Sequence, residues 1–504
     1  MGERPVNKMF ADWELAIPNI HGVFSTRRGW ITSKGADPTR RCSEYWWPYS
    51  ESVIGEGAPS NQNFTKTFLP EEFWFGAYLY TPDSGDIPVL RTHTYAGVDN
   101  GWPRPSNGGS YPLRTRGGAV IRCVPSQDGS SEGFEVTTQD GTSYRLDHLA
   151  TRPMYPLLKF QDFSGAGSQY RMQWTLPRTE YFLLVTSVKD RFGNTVSYEW
   201  DQADPWKLNR ITGSDGRALN ITYSNGVISQ VQDANKPDQI WKYNGGSVIR
   251  PDGSSWEFSS LDLNSNSYGE GSIPGKNSIC YSPGYPTTKK MRAIMKHPSG
   301  AIATFEAEAV LHGRSRTRNT CDTAYNPNSS YWLQSSERNP ATYYLWSIKS
   351  KTISGPGISS PLVWTYNFSS PGGCYEPANP AGINTCSSTS PYTKWVDVLG
   401  PDGNNIRYVY GNVFDVNEGI LLEQIQDGRR TTFIYDDTST GAYPHVAGTP
   451  AHPDRSISWS DIKVTPLREK TIVQDGQTFR WRVNQFDGQA RPISVTSESS
   501  PWPQ

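Results

Sequence analysis

The sequence predicts an all-β protein built around an extended antiparallel sheet. The 504 residues include 18 Trp and 27 Tyr, which favour strands, while 46 Gly and 38 Pro supply turns and breaks. From about residue 181 apolar and polar residues alternate, as they do along a half-buried strand. Asp-Gly dipeptides recur between these alternating segments, and the first 178 residues show no sustained helical period.

The clearest repeating unit is a hairpin with an Asp- and Gly-containing turn. One copy runs from Leu184 to Asp201, and a second runs from Leu208 to Tyr223, so that the turn glycines Gly193 and Gly216 lie 23 residues apart. Further turns are expected at Asp252-Gly253, Ser299-Gly300, Asp402-Gly403, Asp427-Gly428, Asp475-Gly476 and Asp487-Gly488. A period of this length indicates a repeat architecture. A single hairpin is marginal in water, so we expect the hairpins to stack into a spiral or partial shell.

The start of the alternating hairpin repeats divides the chain into two predicted regions. Residues 1–178 form an irregular, β-rich region with strand-like stretches at Phe73–Tyr80 and Gly133–Thr138, and residues 179–504 form the repeat sheet. In the repeat sheet the alternation predicts aromatic side chains on one face and Thr, Ser, Asn and Arg on the other.

Two stretches, near 259–290 and 311–395, interrupt the repeats and hold four of the six cysteines. We interpret them as loop-rich insertions, with irregular hidden strands as the alternative. No cysteine pair has CxxC spacing, which argues against a zinc site. Six cysteines allow fifteen pairings, and a local Cys374–Cys386 disulfide and plain buried thiols both stay open.

Charge and hydropathy exclude several functional classes. With 48 Lys and Arg against 49 Asp and Glu the formal net charge is −1, which makes nucleic acid an unlikely partner. The mean hydropathy is −0.63 and no apolar run approaches the length of a membrane span. The first residues, Met1 to Val6, lack the apolar segment of a signal peptide.

The tandem units 188–201 and 211–223 resemble the YD repeats of bacterial RHS proteins. The later segment 486–495 is similar to a Tyr-Asp-x-x-Gly-Arg repeat with Phe in place of Tyr. The resemblance covers about 110–250 and 395–497. It implies YD-repeat hairpins wound into a β-spiral or partial shell around a C-terminal toxin or effector, as in polymorphic toxins, insecticidal toxin complexes and teneurin-like proteins. It also implies a secreted or cell-surface location.

The chain departs from this family pattern in two ways. Up to Gln504 it holds too few repeats to close a large shell, so closure of the shell is not predicted. The Asp-Pro-x-Gly core motif linked to self-cleavage is absent, because Asp204-Pro205-Trp206-Lys207 does not match it. The release of a cargo by self-cleavage is therefore not predicted.

Three sequence patterns suggest possible chemistry, and each has a simpler interpretation. The segment Gly129-Ser130-Ser131-Glu132-Gly133 matches a nucleophile elbow but lies in a predicted turn. The segment Gly271–Asn277 is similar to a phosphate loop, but its glycine spacing is too short. The adjacent acids Glu71 and Glu72 would point to opposite faces of a strand, so they cannot act as a glycosidase pair.

Metal ligation has equally weak support. The seven histidines fall at no metal-binding spacing: they are His21, His93, His148, His297, His312, His445 and His452. The turn aspartates are more consistent with capping of their own backbone than with calcium binding: they are Asp215, Asp252, Asp402, Asp427 and Asp475. We therefore predict no catalytic, cofactor-binding or metal-binding residue, and no cofactor.

The sequence favours a non-catalytic RHS-like scaffold that encapsulates or presents a C-terminal toxin or effector domain, or a downstream polypeptide. Residues 1–178 are expected to cap or plug the spiral. The alternative is a cell-surface adhesion module that binds carbohydrate through exposed aromatic residues. A third hypothesis, a glycoside hydrolase-like β enzyme, requires two converging carboxylates, and the sequence identifies no such pair.

Overall fold

The computed structural model describes most of the chain, and this part is almost entirely β-structure. The described residues are 17–30, 37–46, 48–56, 64–74, 76–82, 84–93, 101–104, 108–165, 168–261, 290–318, 331–332, 341–376, 384–436, 441–450 and 459–501. They form thirty-three strands and two helices of four residues each. Twenty-nine of the strands belong to one sheet, and the pairings between its strands are antiparallel. The predicted all-β class and extended antiparallel sheet are confirmed.

The first part of the chain forms eleven strands and one helical turn. They are β1 (Asn19–Ser25), β2 (Glu51–Ile54), β3 (Thr65–Phe68), α1 (Pro70–Phe73), β4 (Ala77–Thr81), β5 (Gly85–Pro88), β6 (Leu90–Arg91), β7 (Leu113–Arg114), β8 (Val120–Pro125), β9 (Glu132–Thr137), β10 (Ser143–Gly165) and β11 (Ser168–Lys189). The long hairpin β10–β11 lies between β9 and β1 in the sheet, while β2 and β3 form a separate pair. Strand β11 runs through the predicted boundary at residue 178, which stays a prediction.

A large apolar core lies under these strands. Phe24, Trp74, Phe134 and Trp174 are completely or almost completely buried in it. Burial of each large aromatic side chain contributes about 2–3 kcal/mol of transfer free energy. This region is therefore expected to be rigid.

One predicted strand of this region is wrong in part. The stretch Phe73–Tyr80 was expected to be extended, but its first residue ends the helical turn α1 and only Ala77–Thr81 is a strand. Pro70 suits the first turn of a helix, and Phe73 and Trp74 are both completely buried instead of alternating between faces. The predicted strand Gly133–Thr138 is confirmed by β9.

The repeats begin with strands that pair in chain order. They are β12 (Thr195–Trp200), β13 (Leu208–Gly213), β14 (Ala218–Ser224), β15 (Val227–Asp233), β16 (Ile240–Asn244), β17 (Ser247–Ile249), β18 (Ser255–Leu261), β19 (Met291–Lys296) and β20 (Ile302–Gly313). Each pairs antiparallel with the next, starting from β11.

Most of the remaining strands continue this arrangement. The remaining elements are β21 (Thr317–Arg318), β22 (Tyr331–Trp332), β23 (Thr342–Ser354), β24 (Leu362–Phe368), β25 (Tyr375–Glu376), β26 (Thr393–Leu399), β27 (Asn405–Gly411), β28 (Leu421–Gln426), β29 (Arg429–Tyr435), β30 (Thr449–Pro450), α2 (Trp459–Ile462), β31 (Leu467–Gln474), β32 (Gln477–Phe486) and β33 (Pro492–Pro501). The exceptions are β21 and β25, which pair with each other in parallel, β22, which pairs with β10, and β30, which pairs with β6. We call the series β11–β20, β23, β24, β26–β29 and β31–β33 the ladder.

The predicted insertion at 311–395 contains more regular structure than a loop. Strands β23 and β24 lie inside it and continue the ladder from β20 to β26. The alternative interpretation, hidden strands, therefore holds for this stretch. Most of the insertion at 259–290 lies outside the described residues.

Two kinds of turn connect the ladder strands. In five-residue turns the first N–H donates to the fifth carbonyl, as from Asp190 to Asn194 (3.0 Å) and from Gly213 to Arg217 (2.8 Å). The fourth residue has a positive φ, for example 86° at Gly216. Tight two-residue turns have two positive φ angles, 48° and 76° at Asp427-Gly428. Such angles suit Asn, Asp and Gly, which explains the recurring dipeptides.

Seven of the eight predicted turn glycines have a positive φ. They are Gly193, Gly216, Gly253, Gly300, Gly403, Gly428 and Gly476. The exception is the turn at Asp487-Gly488, where Ala490 has the positive φ, 60°. Asp487 is the first residue of this turn, like Asp190, so Ala490 occupies the position that Gly193 holds in the earlier turn.

The first region also contacts the last strands of the ladder. Strand β6 pairs with β30, and the indole N–H of Trp102 donates to the carbonyl of Val446 (2.6 Å). Leu90 and Trp102 share a buried cluster with Val483 and Phe486. The first region therefore joins the beginning of the ladder through β11 and contacts its end at β32.

Candidate functional site

The serine motif at Gly129–Gly133 lies in a hairpin turn between β8 and β9. The Asp128 carboxylate accepts hydrogen bonds from the hydroxyls of Ser126 (2.5 Å) and Ser130 (2.7 Å), which lower the pKa of Asp128 to about 2. A nucleophile elbow requires a strand, a sharp turn and a helix. A strand follows here, so the motif is a turn, as expected.

The secondary structure around the adjacent acids differs from the prediction. The backbone of Glu71 and Glu72 belongs to the helical turn α1, so the assumption of a strand there is wrong.

The possible phosphate loop, Gly271–Asn277, lies outside the described residues.

The turn aspartates bond to their own backbone. The carboxylates of Asp215, Asp252 and Asp402 each accept the N–H of the residue two positions later, at 3.0–3.2 Å. Hydrogen bonds from the Arg217 side chain and from the Ser254 hydroxyl lower the pKa of Asp215 and Asp252, respectively. Across the described residues, no three His, Cys, Asp or Glu side chains come together as a metal site. The capping interpretation holds for these three aspartates.

One face of the ladder carries most of its aromatic side chains. The strand registers place Tyr198 opposite Ile211, Val248 opposite Trp256, and Val396 opposite Tyr408. We call this the aromatic face. Its aromatic side chains from β16 to β29 include Trp241, Tyr243, Trp256, Phe258, Phe305, Trp364, Tyr366, Phe368, Tyr408 and Phe433.

The opposite face, which we call the polar face, carries Ser, Thr, Asn, Gln and charged pairs. Glu257 lies opposite Lys296 and contacts it at 2.9 Å, and Asp397 lies opposite Arg407 at 2.7 Å. The division of side chains between the two faces follows directly from the two-residue period of a strand. This prediction from the alternation is confirmed for most of the aromatic residues; Trp395, on the polar face, is an exception.

The middle of the aromatic face lacks a covering layer in the described part of the chain. From Trp256 to Phe433 its aromatic side chains are half-buried, and none belongs to a buried apolar cluster. Neighbouring strands shield the edges of these rings, since cross-strand side chains lie about 5 Å apart. A half-buried aromatic surface that extends over several neighbouring strands is a candidate binding surface.

The same face is covered at its two ends by the first region. At the start of the ladder, Ile17 packs with Tyr198 and Trp200 around a buried cluster. At the end of the ladder, Trp102 packs with Val483, while Arg114 stacks 3.6 Å from the Trp102 ring. The first region thus borders the uncovered part of the aromatic face at both ends.

A cavity of about 430 Å³ opens beside the turn that joins β16 and β17. Its lining consists of Asn244, Gly246, Ser247, Glu257, Phe258, Ser259, Ile294, Lys296 and Ile302. A glycosidase requires two carboxylates, and this lining supplies one, which is paired with Lys296. The cavity therefore gives the glycoside hydrolase hypothesis no support.

Comparison with known proteins identifies no relative, because no protein-family model and no curated protein matches the chain. Within the described residues no helix is long and apolar enough to cross a membrane. What the fold defines is a class: an antiparallel repeat sheet with one polar face and one partly uncovered aromatic face.

Proposed function

We propose that the protein is a non-catalytic scaffold of the RHS type, whose aromatic face holds or presents another polypeptide. The partner would be a C-terminal toxin or effector domain, or a polypeptide encoded downstream. One observation carries the proposal: the aromatic side chains from Trp256 to Phe433 lie half-buried without a covering layer among the described residues. Apolar surface of this extent is stabilised when a second layer covers it.

The contacts of the first region support the same proposal. Because this region reaches the aromatic face at both the first and the last strands of the ladder, it suits the role of a cap over a partly enclosed space. The disulfides Cys42–Cys123 and Cys374–Cys386 support an oxidising location, as expected for a secreted or cell-surface protein.

Co-purification tests this function. The chain is expressed with and without the polypeptide encoded downstream of Gln504, purified through a tag on the chain, and analysed by mass spectrometry after limited proteolysis. A stable complex in which the downstream polypeptide resists protease is the expected result. Free, protease-sensitive downstream polypeptide beside a folded chain would contradict the proposal.

A specific observation favours one second candidate, carbohydrate binding. Trp206 is 39% exposed, lies against Phe182, and neighbours the Arg152–Glu180 ion pair (2.6 Å). Sugars stack on exposed indoles and bond to charged side chains beside them. Binding on a glycan array that is lost in Trp206→Ala and kept in Phe192→Ala would favour this candidate over the scaffold.

A further inference from the structure

The charged residues of the ladder are divided unequally between its two faces. All carboxylates of the ladder strands from β16 to β32 lie on the polar face: Glu257, Glu306, Glu308, Asp397, Glu423 and Glu469. Basic residues accompany them there, as in the pairs Glu257–Lys296 and Asp397–Arg407. The polar face is thus of mixed charge.

The aromatic face of the same strands carries only positive charge. The registers place Lys351, Lys394, Arg429, Arg468 and Lys470 on it. Two of these cations are paired by carboxylates from loops, Lys394 with Glu418 (3.5 Å) and Arg468 with Asp436 (2.6 Å). The other three have no carboxylate within 4.0 Å among the described residues.

Two of these three unpaired cations lie near aromatic rings, while Arg429 is exposed opposite Gln426. The Lys351 ammonium is 4.6 Å from the centre of the Trp364 ring, and the Lys470 ammonium is 5.9 Å from that of Phe433. Contact with an aromatic ring partly compensates a cation for its lost hydration. The N–H groups of the cation can still donate hydrogen bonds to a carboxylate. A partner that covers this face would have to neutralise these cations, because burying unpaired charge is costly.

The arrangement fits a polypeptide better than a nucleic acid. Single-stranded nucleic acids bind aromatic residues by stacking bases on the ring faces. Lys351 and Lys470 already lie near such rings, and the whole chain, with a net charge of −1, lacks the basic excess of polyanion-binding proteins. Apolar side chains and carboxylates together are what an acidic polypeptide offers.

We propose that the aromatic face binds an acidic polypeptide segment whose carboxylates pair with Lys351, Arg429 and Lys470. This inference rests on the proposed scaffold function and specifies the chemistry of its partner. Apolar side chains of the segment lie on the half-buried rings, and its acidic side chains lie over the three cations. The segment is recognised by its charge and apolar content.

Peptide titration of the full chain tests this inference. The probe is a fluorescein-labelled peptide of repeated Glu-Leu-Ser-Gly units, and the matched probe has Lys in place of Glu. We expect the acidic probe to bind at least about tenfold more tightly than the basic one, and its affinity to fall as salt screens the charges. Fluorescence anisotropy measures both.

Two triple variants with the same change in net charge separate the two faces. K351Q/R429Q/K470Q removes the three cations of the aromatic face that the proposal pairs with carboxylates, while K242Q/R292Q/R430Q removes three exposed cations of the polar face. We expect the first to weaken binding of the acidic probe about tenfold or more and the second to change it less than about twofold. Circular dichroism confirms that both variants fold.

Three outcomes overturn the inference. Equal binding of both peptides, unchanged in either variant, means an apolar surface without charge selection and leaves the scaffold function standing. Tighter binding of an oligothymidylate than of the acidic peptide means a nucleic-acid surface. No peptide binding to a chain that nevertheless co-purifies with its downstream polypeptide means that the partner is recognised elsewhere.

Discussion

Single residues at the turns decide where the strands of the ladder reverse. Turn aspartates such as Asp215 accept backbone N–H groups, and residues with positive φ occupy one fixed position in each five-residue turn. These requirements are local, so the sequence reveals them. The exception, Ala490, shows that a side chain can occupy that position when the surrounding hydrogen bonds hold it there.

Replacing a turn glycine measures this backbone requirement directly. Gly193 has a φ of 94°, and a Cβ atom added there meets no atom within 4 Å, so Gly193→Ala introduces backbone strain without a clash. We expect a loss of roughly 1–2 kcal/mol of unfolding free energy in urea denaturation. Gly117→Ala is the matched control, because Gly117 lies in a similar turn without a positive φ. Equal losses in both variants would contradict this account.

His148 makes the stability of the first region depend on pH. Its ring stacks 4.8 Å from Trp200 and its Nε2 lies 2.9 Å from the Pro205 carbonyl, while burial lowers the pKa of His148 below 6.5. The unfolded chain therefore takes up a proton at a higher pH than the folded chain does. The contribution of neutral His148 to stability is complete above pH 6.5 and is lost as the pH drops from 6.5 through the folded-state value.

The variant His148→Gln should reduce this loss on acidification. Part of it should remain, because burial also lowers the pKa of His312. Unfolding free energies of the two proteins, measured above and below pH 6.5, test the prediction. An identical fall with pH in the variant and the parent would show that His148 is not responsible.

At the scale of elements, alternation predicted the ladder strands and their faces well, because each strand shows a two-residue period. Alternation predicted a strand wrongly where two consecutive residues are both buried. Phe73 and Trp74 are both completely buried after a helical turn, and so they looked like part of a strand. The hidden strands β23 and β24 lie among Ser, Pro and Gly, which masked their pattern.

The two disulfides should contribute unequally to stability. Cys42 and Cys123 are 81 residues apart, and Cys374 and Cys386 are 12 apart, so the first restrains the unfolded chain more. Loop-closure entropy predicts losses of about 4 kcal/mol for C42A/C123A and about 3 kcal/mol for C374A/C386A. Urea denaturation of the two variants checks the order. A larger loss in C374A/C386A would contradict it.

At the scale of the whole molecule, the contacts between the first region and the end of the ladder could not be predicted from sequence. The pairing of β6 with β30 and the Cys42–Cys123 bridge join residues that are far apart in the chain. Local patterns fix strand faces and turns but not which distant elements meet. The sequence also could not predict that the middle of the aromatic face is uncovered among the described residues, because this depends on which distant segments pack against it.

Trp102 is the side chain that most directly joins the two ends. It is 5% exposed, donates to the Val446 carbonyl and stacks on Arg114. We expect Trp102→Ala to cost about 3 kcal/mol or more and to speed hydrogen exchange of residues 441–450. Phe192→Ala, at a side chain 76% exposed, is the control and should change neither. Unchanged exchange at 441–450 in Trp102→Ala would mean that this contact does not hold the ends together.

The proposed scaffold function requires the aromatic face to be the surface that a partner covers. Hydroxyl-radical footprinting of the chain, alone and after co-expression with the downstream polypeptide, measures this at Trp241, Trp256 and Trp364, with Trp395 on the polar face as reference. We expect the three aromatic-face tryptophans to be oxidised in the free chain and protected in the complex, with Trp395 unchanged. Protection of Trp395 alone, or of none of the four, would contradict the central claim.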